Sequence, residues 1–145
     1  MKVKLSEIAD CFEMTMQNWE QYYNKKTGEF VALPDYDRNE EDEMLAEEIE
    51  MSDNYIRLPN QYEIREFDIM VDFVESLDDE EVIHKLSKAL NGRKPFRHFK
   101  DEIFYLGIRE EYFAFQNSKY LQIAENWCKE NNIEYRYNSY LYSIL

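Results

Sequence analysis

Glu81 and His84 stand three residues apart, the Glu-x-x-His spacing with which facing helices of a bundle hold paired metal ions. Such a site needs a second motif of the same kind and further glutamates, and no second Glu-x-x-His occurs. The pair therefore reads as a surface histidine beside the acidic first turn of a helix. A denser set of carboxylates, Asp35, Asp37, Glu40, Glu41, Asp42, Glu43, Glu47, Glu48, Glu50 and Asp53, has Arg38 as its one base. Oxygen ligands of this type suit Mg²⁺ or Ca²⁺, but the Asp-x-Asp-x-Asp-Gly layout of a calcium loop is missing, and such charge runs are commonly solvated faces. Cys11 and Cys128 show no metal-ligand spacing such as a close Cys-x-x-Cys pair and fall on apolar helix sides, as buried free thiols do. The three glycines, at 28, 92 and 107, are too scattered for a phosphate-binding loop. No matched acid, base and nucleophile emerges, so no catalytic residue, metal or cofactor is assigned. The enzymatic alternative is a metal-assisted hydrolase built on the carboxylates at 35–53 or on Glu81 with His84.

The segment 91–101 offers a different chemistry. Lys85, Lys88, Arg93, Lys94, Arg97 and Lys100 place six of the chain's 17 cationic side chains within sixteen residues. Arginine forks grip phosphate or carboxylate in bidentate fashion, and the helix start after Pro95 adds N–H donors. Arg93, Lys94, Arg97 and Lys100 are accordingly the candidate binding residues. Against this stands internal pairing with Asp101, Glu102 or the acidic face at 63–75, with Phe96 and Phe99 as core.

Positioning these groups falls to a series of helices and short strands. Ser6 caps a helix over 6–16, with Leu5, Ile8, Ala9, Phe12 and Met16 at helical spacing. Two β-prone runs, at 19–23 and 29–33, flank a polar loop ending in Gly28 and form a hairpin that Pro34 closes. A short helix with one narrow apolar stripe (Met44, Leu45, Ile49) lies in the acidic stretch. A third strand at 55–58 joins the hairpin, and Asn60 caps a long amphipathic helix to Leu77 whose face is Phe67, Met70, Val71, Val74 and Leu77, widened by Ile64, Ile69 and Phe73. Asp78 caps the next helix, which Gly92 ends in a left-handed C′ conformation. Pro95 opens another helix with Phe96, Phe99, Ile103 and Leu106 inward, and Gly107 stops it. A final helix runs over 109–131, with Phe113, Tyr120, Leu121, Ala124, Trp127 and Cys128 on one side. Residues 133–137 return as an edge strand, and 140–145 dock. The alternating Tyr135, Tyr137, Tyr140 and Tyr142 read as sheet core and rim, with a protein–protein patch on an exposed strand as the alternative.

The sum is a single α+β domain over 1–145, mostly helical with a small antiparallel sheet and an acidic insertion at about 35–53. The 145 residues, 44% hydrophobic and 16% aromatic, supply a packed core that an acidic disordered chain lacks. A net charge of −14 repels phosphate backbones and anionic lipid except where cations cluster locally. The first residues have no apolar signal-peptide run, and no stretch reaches the about 18 apolar residues of a membrane span. A cytoplasmic protein is expected.

Tyr22 to Glu29, Tyr55-Ile56-Arg57-Leu58-Pro59, Met70-Val71-Asp72-Phe73-Val74, and above all Gly92-Arg93-Lys94-Pro95-Phe96-Arg97-His98-Phe99-Lys100-Asp101 with the later Trp127 and Asn132-Ile133-Glu134 carry a family likeness. The pattern resembles the small bacterial proteins grouped as uncharacterised protein family 0158. There, a glycine precedes a Phe-Arg-x-Phe-Lys-Asp core and a Trp-containing helix closes the domain. The resemblance covers about residues 18–135 and implies a shared α+β fold, with no activity or catalytic residue to carry over. The functional expectation is a non-catalytic binding or regulatory domain that meets an acidic partner, protein or nucleic acid, through residues 93–100. An acidic inhibitor that mimics nucleic acid is the other non-enzymatic reading.

Overall fold

The computed structural model describes residues 2–15 and 18–137. Its helices and short strands form an α+β fold, divided into two compact units. The first comprises Met1–Ile64 and Tyr120–Leu145, the second Arg65–Lys119.

In the first unit, β1 (Val3–Lys4) leads directly into α1 (Leu5–Glu13). The helix starts one residue before the expected Ser6, with Lys4 at the cap and no side-chain cap bond, because Val3 is held by the strand: its N–H donates to the Glu134 carbonyl at 3.0 Å. Leu5, Ile8, Ala9 and Phe12 are buried, as the spacing predicts, while Met16 lies outside the described residues. β2 (Trp19–Asn24) and β3 (Phe30–Pro34) form the antiparallel hairpin. Its loop turns on Gly28 (φ 79°) and on the Asn24 Oδ1 atom, which accepts from the Lys26 and Thr27 N–H groups. β4 (Tyr55–Arg57) pairs with the other edge of β2, giving the order β3-β2-β4.

Between β3 and β4 the acidic stretch is a formed helix, α2 (Glu40–Met51). It opens on a reciprocal capping box, in which the Asn39 side chain accepts from the Asp42 N–H and the Asp42 carboxylate accepts from the Asn39 N–H. None of its residues is buried; Leu45, Ala46 and Ile49 on its apolar side and the capping Asp42 are partly covered. β5 (Tyr135–Arg136) does not join the hairpin sheet. It pairs in parallel with β1, a strand too short to show in the sequence pattern.

The predicted helix 60–77 is broken. Asn60 does cap it, in a second reciprocal box with Glu63, but α3 (Gln61–Ile64) stops at Arg65, whose φ of 56° interrupts the helical backbone before α4 (Glu66–Glu75). Ile69, Met70, Phe73 and Val74, all on the expected face, form the buried side of α4, whereas Phe67 is 37% exposed.

The second unit contains α4, α5 (Glu80–Leu90), α6 (Pro95–Tyr105) and the start of α7 (Arg109–Glu130). Asp79 rather than Asp78 caps α5, accepting from the Glu81 and Val82 N–H groups. Phe73, Phe99 and Tyr112 pack edge-to-face with centroids 5.0–6.4 Å apart and anchor the core of this unit. Gly107 (φ 71°) ends the α6 segment. On α7, Tyr112, Gln116, Tyr120, Ala124, Trp127 and Cys128 are buried, whereas Phe113 is 37% exposed. Tyr140, Tyr142 and the rest of 140–145 lie outside the described residues.

Candidate functional site

The four-residue turn 91–94 joins α5 to α6 and displays the cationic segment. From Lys85 to Lys100 there is no carboxylate, so the cations must look elsewhere for partners. Two find them. Lys85 pairs with Glu81 at 3.3 Å along its own helix, and Lys100 reaches Glu66 at 3.5 Å. Glu66 also accepts from the buried Gln116 amide at 3.2 Å, so Lys100 completes a polar link among α4, α6 and α7. Arg93, Lys94 and Arg97 are exposed and form no ion pair among the described residues, and the same holds for Lys88. The four candidate binding residues thus divide into three displayed cations and one that also ties helices together.

The turn itself departs from the expected geometry. Gly92 does not take positive φ; the left-handed residue is Lys94, at φ 48°. Asn91 ends α5 in right-handed geometry, its N–H and its side-chain amide both reaching the Ser87 carbonyl, so α5 needs no left-handed C′ residue. A Cβ on Gly92 would meet only the Lys88 and Ala89 carbonyls, at 3.4 and 3.8 Å. Phe99 and Ile103 are buried as expected, but Phe96 is 43% exposed, edge-on to Phe67 at 6.3 Å.

Beside the turn, α5 and α6 enclose an open groove of about 530 Å³. Lys85, Lys88 and Arg93 line it from one side, and His98, Asp101 and Tyr105 from the other, with Gly92 and Glu102 also on its surface. Sequence reasoning passed over Tyr105, which is 80% exposed, although His98, Asp101, Glu102 and Tyr105 at i, i+3, i+4, i+7 mark a polar face of α6. Glu81 and His84 are both exposed, and the Glu81 carboxylate is engaged by Lys85. Among the described residues no three His, Cys, Asp or Glu side chains gather as a metal site.

A second concavity, about 490 Å³, lies in the first unit against Arg57, Glu63 and Trp127. Its Arg57 and Glu63 are already engaged with each other. Arg57 clasps Glu63 through both terminal nitrogens, at 2.7 and 3.2 Å, and that bond holds the Glu63 carboxyl below its usual range. The Trp127 indole N–H donates to the Arg57 carbonyl at 2.9 Å. Burial pushes both thiols, Cys11 and Cys128, up to about 11, which leaves them protonated and unreactive at neutral pH. No helix among the described residues is long and apolar enough to cross a membrane.

Fold and site together define a small α+β protein with a cationic turn between two helices. The chain belongs to the uncharacterised protein family UPF0158, whose model matches residues 1–142. A UPF0158 protein of Pseudomonas aeruginosa is 28% identical to it over 67 residues, 46% of this chain and 44% of that relative. The match therefore spans less than half of the relative's length. No solved structure matches the chain.

Proposed function

We propose that the protein is a non-catalytic binding or regulatory domain that contacts an acidic partner through residues 93–100. One observation carries the reading: Arg93, Lys94 and Arg97 crowd one turn and the helix start after it, exposed and without an ion pair among the described residues. Folding gains nothing from three like charges held together, whereas an anionic partner turns their mutual repulsion into attraction. The left-handed backbone at Lys94 supports the same reading, since a lysine there is strained and glycine is not. Partner capture from the source cell at low and moderate salt, with the wild-type chain and a Lys94→Glu/Arg97→Glu variant, tests it. Salt-sensitive capture that the variant loses while its melting temperature holds is expected; unfolding of the variant assigns the cations to structure instead.

The acidic mimic is the second reading, favoured by α2. This twelve-residue helix carries seven carboxylates, no base and no buried side chain, so it is a presented surface rather than a core element. Capture of a basic, nucleic-acid-binding partner, lost on neutralising Glu40, Glu43, Glu47 and Glu50, is its test.

A further inference from the structure

The groove between α5 and α6 lies beside the proposed contact and differs from it chemically. Its charges are mixed: Lys88, Gly92, Arg93 and His98 line it at the turn, Asp101, Glu102 and Tyr105 follow further along α6, and Lys85, already paired with Glu81, lines it one helical turn before Lys88. From His98 to Tyr105 is seven residues, about 10 Å of helix. A uniform polyanion would collide with the two carboxylates, whereas a ligand with an anionic end, a flat aromatic body and N–H donors would match each part in turn. Resting on the reading of the neighbouring cations as an anion contact, we propose that this groove binds a nucleotide. The phosphates sit at Lys88 and Arg93, the base stacks on Tyr105, and its N–H groups donate to Asp101 and Glu102.

Three features carry this assignment. Lys88 and Arg93 have no ion pair among the described residues, so no internal bond opposes phosphate binding. Tyr105, with Phe104 edge-on at 5.8 Å, presents an 80% exposed ring at the groove, an aromatic surface that no described element covers and that every base offers a face to. Gly92 lies on the groove surface and has neither positive φ nor a blocked Cβ direction, so no backbone need accounts for the glycine. Glycine at such a point allows the close approach of a ligand to the backbone. Guanine suits the carboxylates best, because its ring N–H and exocyclic amine stand side by side as a donor pair.

Isothermal titration of the full chain with GDP, UDP, tripolyphosphate and a ten-nucleotide RNA tests the proposal. GDP is expected to saturate the protein and to bind more tightly than UDP or tripolyphosphate. Tyr105→Ala is expected to weaken GDP about tenfold by the usual worth of a base stack, leaving tripolyphosphate unchanged. Gly92→Leu is expected to abolish GDP binding with an unaltered melting temperature. Tighter binding of the RNA than of GDP, with the same Tyr105 sensitivity, identifies a strand as the source of the nucleotide, and weaker binding identifies the free nucleotide. Absence of GDP binding to millimolar concentration, tripolyphosphate binding as tightly as GDP, or indifference to Tyr105→Ala overturns the site. Lys94 and Arg97 lie outside the groove lining, so loss of partner capture on reversing them survives a negative GDP result and separates the two failures.

Discussion

Lys94 occupies a left-handed backbone (φ 48°) that glycine would adopt without strain, while Gly92, two residues earlier, has ordinary dihedrals and room for a methyl group. On stability alone the two residues are the wrong way round. Gly92→Ala should change the unfolding free energy little, and Lys94→Gly should raise it by about 1 kcal/mol through relief of strain. Urea unfolding of both variants checks the pair. Glycine at 92 was legible in the sequence as a helix terminator, but which residue of a four-residue turn carries positive φ depends on how the next helix enters, and no local pattern records that. The thiols allow a pH prediction. Unfolded, Cys11 and Cys128 release their protons near 9; folded, near 11. Between those values the folded chain binds more protons than the unfolded one, so stability is complete below pH 9 and falls as pH rises from 9 to 11. Urea midpoints measured across that window should decline, and the decline should be shallower in a Cys11→Ala/Cys128→Ala variant.

Among the elements, those with strong local signals were readable and those decided by tertiary pairing were not. The hairpin β2–β3, the third strand and the helices α5, α6 and α7 follow their turn residues and apolar spacing, with ends displaced by a residue or so. The parallel pair β1–β5 escaped because a two-residue strand has no periodicity to read. The break at Arg65 escaped because arginine is an ordinary helix former, and only its positive φ separates α3 from α4. Arg65→Gly should therefore be tolerated far better than glycine inside a helix, where it costs about 1 kcal/mol; a thermal melt distinguishes the two. For the site, the cations were legible as a cluster in sequence. Their separation into an ion-paired Lys100 and displayed Arg93, Lys94 and Arg97 depended on where Glu66 falls in space. In α2, the capping box does much to hold a helix with no buried residue, so Asn39→Ala should cost about 1 kcal/mol of local helix stability. Faster amide exchange confined to residues 40–51 is the expected signature.

Across the whole molecule, the −14 charge is unevenly distributed between the two units. The second unit holds nine of the 17 bases against 12 of the 31 acids, and the first holds the remainder, including the carboxylates of α2. A protein with this division can bind an anion locally although its net charge opposes it, and that binding weakens with salt as charges are screened and the entropic gain of releasing counterions shrinks. The most direct measurement sets retention on a heparin column against thermal melting, for the wild-type chain and the Lys94→Glu/Arg97→Glu variant. The account predicts wild-type retention at low salt, none for the variant, and melting temperatures that differ by no more than exposed, unpaired side chains allow, about 0.5 kcal/mol in stability. Equal retention of the two chains, or a variant that no longer folds, would contradict it.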